Sequence, residues 1–137
     1  MKIIFLDVGG VMNPGEGPGS SLEQALMPRH MAVLNELVKA SNAQVVLSSA
    51  YRMCHSIAGL RQVFKTAGFE GKLVGKTPVK MGRDEEIQTY LDEHPDIESY
   101  VVLDDMKDMG KLTPKLVCTY PTGLKLEHVG SALKLLS

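Results

Sequence analysis

Five short apolar runs alternate with stretches of helical periodicity along this chain. The runs Lys2–Asp7, Gln44–Ser48, Lys72–Val74, Tyr100–Asp104 and Leu116–Thr119 read as strands, the third being the shortest on apolar content. Their near-continuous aliphatic character is that of strands buried on both faces. Between the first two, Pro28–Ser41 places Met31, Leu34, Leu37 and Val38 at helical spacing. Ser56–Ala67 is a second helix, stopped by Gly68. Arg83–Glu93 is a third, with Ile87, Tyr90 and Leu91 on one face, acids Asp84, Glu85 and Glu86 in its first turn and Pro95 beyond its end. Glu127–Leu136 closes the chain as a fourth. Alternation of this kind predicts an α/β domain with a mostly parallel sheet. Two segments read as loops, the glycine- and proline-rich Asn13–Gln24 and Gly75–Gly82.

Composition narrows the class. The 137 residues predict one domain, 1–137, able to bury about two thirds of its unfolded surface. Hydrophobic content of 44%, charged content of 23% and a net charge of −1 are those of an ordinary soluble globule, with no electrostatic case for nucleic acid. No run approaches the ~20 apolar residues of a membrane helix. With a strand opening the chain, no signal peptide is expected. Cys54 and Cys118 fit no metal spacing and suit a reducing, cytoplasmic setting.

The chemistry sits at the strand ends. Asp7 closes the first strand and is followed by Gly9 and Gly10, which let the backbone turn away. Ligands of open parallel sheets bind beyond the carboxyl ends of the strands, so this placement presents Asp7 to a substrate. The second strand ends in Ser48 and Ser49, and the fourth in Asp104 and Asp105. Lys76, Lys80 and Arg83 lie between those two strands. The histidines His30, His55, His94 and His128 show neither metal nor triad spacing. No Gly-x-Ser-x-Gly elbow surrounds Ser48 or Ser49. Gly15, Gly17 and Gly19 do not meet the dinucleotide-binding spacing.

Lys2-Ile3-Ile4-Phe5-Leu6-Asp7-Val8-Gly9-Gly10 closely resembles the first motif of the haloacid dehalogenase (HAD) superfamily, a hydrophobic strand followed by Asp-x-Asp-Gly. Ser48-Ser49-Ala50-Tyr51-Arg52 and the opening of the helix at Arg83 resemble a small capless HAD group linked to RNA-repair proteins. The resemblance implies a three-layer Rossmann-like core with strand order 5-4-1-2-3 and no cap domain. It also implies an open cleft, able to accept a phosphate on a small molecule or at a macromolecular end, or to be covered by a partner subunit. By the same resemblance Asp7 is the nucleophile, forming an aspartyl-phosphate, and Asp7, Asp104 and Asp105 hold Mg²⁺. Ser48 or Ser49 binds the phosphoryl oxygen, one of Lys76, Lys80 or Arg83 supplies the cation, and Gly9, Gly10 and Arg52 fall to substrate binding. The physics agrees, because phosphoryl transfer needs positioning and charge stabilisation more than covalent chemistry.

One departure governs the activity. Where the family has its second Asp, which protonates the leaving oxygen and then activates water, this chain has Gly9. Positioned acid–base help is worth roughly 10²–10⁴ in rate. The first reading is therefore a Mg²⁺-dependent phosphohydrolase-like protein with weakened turnover. The second is a catalytically inactive HAD module that binds a phosphorylated ligand or a protein. A third is another hydrolase such as a dehalogenase, although those enzymes rely on caps for which this chain has little room. The only acids in the Asn13–Gln24 loop are Glu16 and Glu23.

Overall fold

The computed structural model describes residues 1–15 and 21–137. Its centre is a parallel sheet of five strands: β1 Lys2–Leu6, β2 Gln44–Leu47, β3 Leu73–Lys76, β4 Ser99–Asp104 and β5 Leu116–Cys118. Their order is β3-β2-β1-β4-β5, the expected order read from the other edge. The helices are α1 Leu22–Ala25, α2 Pro28–Ser41, α3 Ile57–Thr66, α4 Arg83–Glu93 and α5 Leu126–Leu136. None is long and apolar enough to cross a membrane.

Alternation within β1 builds the two cores. Ile4 and Leu6 join Leu34 and Leu37 of α2, Leu60 and Phe64 of α3, and Leu136 of α5 on one face. Ile3 and Phe5 point the other way, against Ile87 and Tyr90 of α4 and Leu112. These four β1 side chains are fully buried, which explains why the strand is wholly apolar from Ile3 to Leu6. At about 25 cal/mol per Å² of apolar surface removed from water, such residues dominate the stability.

The edge strand β3 runs two residues later than its apolar content predicts, through Gly75 and Lys76. Pairing there breaks register between Val45 and Val46. The Tyr90 hydroxyl approaches so closely that a Cβ on Gly75 would lie 2.7 Å from it, and Lys76 Nζ donates to the carbonyls of Arg52 and His55. Both residues are thus placed by tertiary contacts that a local apolar pattern does not report. The expected Asn13–Gln24 loop also contains α1, opened by a capping box between Ser21 and Gln24. A 3₁₀ turn, Ala50–Cys54, follows β2, and another, Gly110–Lys115, precedes β5.

Candidate phosphoryl-transfer site

The backbone ladder continues one residue past each strand and so aligns the strand-end residues. The Asp7 amide donates to the Leu103 carbonyl, Ser48 to Leu6, Thr77 to Leu47 and Thr119 to Asp104, all at 2.9–3.0 Å. Thr77, Ser48, Asp7, Asp104 and Thr119 therefore stand in a row along the carboxyl edge of the sheet, where ligands of such folds bind.

Asp7, Asp104 and Asp105 each bring a carboxylate oxygen to within 4.8 Å of the others. Arg83, on the first turn of α4, reaches into this group. Its Nη1 donates to Asp104 Oδ2 at 2.6 Å and lies 3.3 Å from Asp7 Oδ1, while its Nη2 has no partner among the described residues. Asp104 is wholly buried, and its Oδ1 accepts the Met106 amide at 3.1 Å. Three carboxylates facing one guanidinium leave excess negative charge. Burial first, then the Asp104 charge, pushes the Asp7 carboxyl up to about 7 against the pull of Arg83. The Asp105 carboxyl is raised too, mainly by burial and by its hydrogen bond with Asp104. A divalent cation would relieve this repulsion. The donor set fits Mg²⁺, since all three donors are hard oxygens and each bonded oxygen keeps a second lone pair.

The two serines differ. Ser49 Oγ accepts the Tyr51 amide at 3.3 Å and caps the 3₁₀ turn. Ser48 Oγ is buried with no hydrogen-bond partner among the described residues, as is Thr77 Oγ1 on the neighbouring strand end. A buried orphan hydroxyl is costly, so such groups mark sites that a ligand or water satisfies.

Several expected site residues are placed elsewhere. Lys76 is turned to backbone carbonyls. Lys80 has an exposed side chain, and its amide, not its ammonium, bonds Glu86 Oε2. Of the three expected cations, only Arg83 meets the carboxylates. Arg52 is not available to a substrate. Nε donates to Thr77 O, Nη1 to Ser48 O and Ser49 O, and Nη2 to Pro78 O and to Glu86 Oε2 at 2.7 Å. All five N–H groups of the guanidinium are used inside the fold. The Gly10 amide is occupied as well, donating to Asn13 Oδ1 at 3.1 Å.

The paired glycines separate cleanly. Gly10 has φ +77°, and a Cβ there would collide with the Asp105 carboxylate. Gly9 is exposed, lies outside the left-handed region, and among the described residues beyond its chain neighbours has no atom within 4 Å of where its Cβ would stand. The backbone requires a glycine at position 10 and not at position 9. Around this turn, Asn13 Nδ2 donates to Ala25 O at 2.9 Å and Thr119 Oγ1 to Gly10 O at 2.6 Å, which fixes the opening beside Asp7. Glu16 lies outside the described residues, and Glu23 is an exposed residue of α1.

Sequence reasoning missed Glu86, Thr77, Asn13 and Thr119. Glu86 bridges the two arginines, with Oε1 3.9 Å from Arg83 Nε; its spacing three residues after Arg83 on a helix was the available signal. Five large apolar side chains stand exposed on the loops following the strand ends: Met53, Val79, Met81, Met106 and Tyr120, with Met81 at 95% exposure. Hollows lie elsewhere, one of about 530 Å³ beside Arg29 and His30 and one of about 450 Å³ beside Phe64 and Phe69. Neither touches the carboxylates, which are recognised by their chemistry and not by a cavity.

The sequence model of one family, the HAD domain in Swiss Army Knife RNA repair proteins, matches residues 3–129. The match takes in β1 from its second residue, the other four strands whole and every residue of the carboxylate cluster. Comparison with curated proteins and with solved structures gives no match.

Proposed function

This chain belongs to the family of HAD domains in Swiss Army Knife RNA repair proteins, and from that premise we propose that it is a Mg²⁺-dependent phosphohydrolase-like protein whose nucleophile is Asp7. The observation that carries this reading is the row of strand ends. It sets Asp7 between the orphan hydroxyl of Ser48 and the Arg83-bridged Asp104.

In this reading an Asp7 carboxylate oxygen attacks phosphorus and forms an aspartyl-phosphate. Ser48, and not Ser49, donates to a phosphoryl oxygen, which satisfies its buried hydroxyl. Arg83, and not Lys76 or Lys80, offsets the charge that develops there. Asp7, Asp104 and Asp105 would hold Mg²⁺, which when bound supplies positive charge to the phosphoryl oxygens. Arg52 and Glu86 act as positioning residues, holding the loops after β2 and β3 in place. With no cap domain among the described residues and with exposed apolar side chains on the loops after the strand ends, the site suits a phosphoryl group carried on a bulky body. Free thiols at Cys54 and Cys118 fit a reducing cytoplasm.

Gly9 makes turnover slow, and its open surroundings favour a second reading, a module that binds a phosphorylated ligand without hydrolysing it. The deciding assay measures phosphate release from aryl phosphates and phosphate-terminated RNA oligonucleotides, with and without Mg²⁺, for the parent and for Gly9→Asp. The variant fits sterically, and turnover is expected to rise about 10²-fold or more. If both proteins bind Mg²⁺ and neither releases phosphate, the phosphohydrolase reading fails and the binding module takes its place.

A further inference from the structure

We infer that this chain takes a phosphoryl group onto Asp7 only from donors whose leaving group departs without a proton, and then retains it. The inference rests on the reading of Asp7 as nucleophile and adds a donor class and a fate for the phosphoryl group. Its basis is the local geometry of position 9. Among the described residues no atom stands within 4 Å of the point a Gly9 side chain would leave from. The turn is held from both sides, by Asn13 on the Gly10 amide and by Thr119 on the Gly10 carbonyl, so the opening is a fixed feature of the fold. Asp7 lies two residues before it in the chain, ion-paired with Arg83 at 3.3 Å and aligned with Ser48 at the end of the neighbouring strand.

The two halves of the reaction depend on a proton at this position in different ways. In the first, an Asp7 oxygen bonds to phosphorus as the bond from phosphorus to the leaving oxygen breaks, and the electron pair leaves with that oxygen. An alkoxide, a base about as strong as hydroxide, needs a proton at that moment. A carboxylate, with conjugate acid near pKa ~4, needs none, and a phenolate near ~10 needs far less help. A suitable donor therefore replaces the missing acid. In the second half, water attacks the aspartyl-phosphate and must lose a proton as it does so. No choice of donor changes that step, because every donor yields the same phosphoenzyme. Loss of one residue blocks release more firmly than loading. Acyl phosphates are the donor class that this arrangement selects.

Intact-mass spectrometry of the full chain, incubated with Mg²⁺ and either acetyl phosphate or glycerol 2-phosphate, tests this directly. Acetyl phosphate is expected to add one phosphoryl group per chain, mapped to Asp7, removable by hydroxylamine and absent in Asp7→Asn. Glycerol 2-phosphate is expected to add none. In Gly9→Asp the adduct should turn over at least about 10²-fold faster, and both donors should be consumed. Repeated turnover of glycerol 2-phosphate by the parent overturns the inference, and would direct attention to Glu16 as the acid. If Gly9→Asp releases phosphate while the parent never acquires the adduct, the inference falls and the nucleophile assignment survives. If neither protein uses either donor although both melt cooperatively, the nucleophile assignment falls with it.

Discussion

Arg52 and Arg83 both meet buried carboxylates at the carboxyl edge of the sheet, and they do opposite things there. Arg52, on the β2–β3 side, is 2% exposed and gives all five N–H groups to four carbonyls and Glu86. Its charge is matched and its geometry closed. Arg83, on the β1–β4 side, is shared between Asp7 and Asp104, keeps an Nη2 unpartnered among the described residues, and faces more negative charge than it can neutralise. One guanidinium completes a structure, whereas the other belongs to a group whose charge is left unbalanced. The same residue type at the same edge is thus a scaffold in one place and, in the function proposed above, chemistry in the other.

Breaking the scaffold side should have the largest effect on stability. Removing one partner of a buried ion pair costs about 3–5 kcal/mol, and Arg52→Ala also orphans four carbonyls. For a chain of this size that corresponds to a fall in melting temperature of roughly 10–20 °C. Added Mg²⁺ should not restore it, and Arg52→Lys, with three donors for five acceptors, should recover only part. A variant that melts within about 2 °C of the parent while losing phosphate binding would show that Arg52 serves the substrate after all.

Arg83→Ala should give the complementary result. Formation of the Asp7 adduct from acetyl phosphate should slow by about 10²–10³, the usual cost of losing one preorganised charge-stabilising donor. Its loss of stability should be smaller and, unlike that of Arg52→Ala, largely reversed by Mg²⁺, since a cation can offset the charges that Arg83 leaves behind. Chemical-quench rates and melts with and without Mg²⁺ measure both. Equal Mg²⁺ rescue of the two variants would erase the distinction between the sides.

How much of this contrast was legible in the sequence follows from which interactions are local. Asp7 and the Asp104–Asp105 pair were readable because each ends a continuous apolar run, and the bounds of α2 and α4 followed from periodicity and flanking prolines. Ser48 and Ser49 could not be separated, because the choice depends on Leu6 pairing with Leu47, which places one hydroxyl at the strand end and leaves the other to cap a turn. The inward bonding of Arg52 was not legible for a related reason. A cation after a strand looks the same whether it faces a substrate or the carbonyls of Thr77 and Pro78, 25 and 26 residues further along. Gly9 and Gly10 are identical letters, and only the position of Asp105 shows which one the backbone needs.

The charge imbalance on the β1–β4 side predicts a pH-dependent metal response. Asp7 is raised to about 7 in the folded protein, above its unfolded carboxylate value, so its contribution to stability is complete below about pH 4 and is lost as pH rises through about 7. The raised Asp105 acts in the same direction. The metal-free protein should therefore lose part of its stability across this window. Mg²⁺, which binds the ionised carboxylates, should raise the melting temperature more at pH 8 than at pH 5. Asp7→Asn should flatten the metal-free dependence. A Mg²⁺ shift that is the same at both pH values would argue against a carboxylate metal site here.

The smallest expected effect discriminates most finely within the β2 side, where one serine belongs to each role. Ser48 Oγ has no partner among the described residues, so Ser48→Ala removes an unsatisfied buried group and should be neutral or slightly stabilising. Its cost should fall on ligand binding, as a slower adduct at Asp7. Ser49 Oγ caps the 3₁₀ turn through the Tyr51 amide, so Ser49→Ala should destabilise by about 1 kcal/mol and leave adduct formation at the parent rate once the protein is folded. Denaturant melts and adduct kinetics on both variants separate the two effects. The opposite pattern, with Ser48 needed for stability and Ser49 for the phosphoryl group, would mean that ligand binding shifts the strand end by one residue. The row of Thr77, Ser48 and Asp7 would then describe the resting chain and not the loaded one.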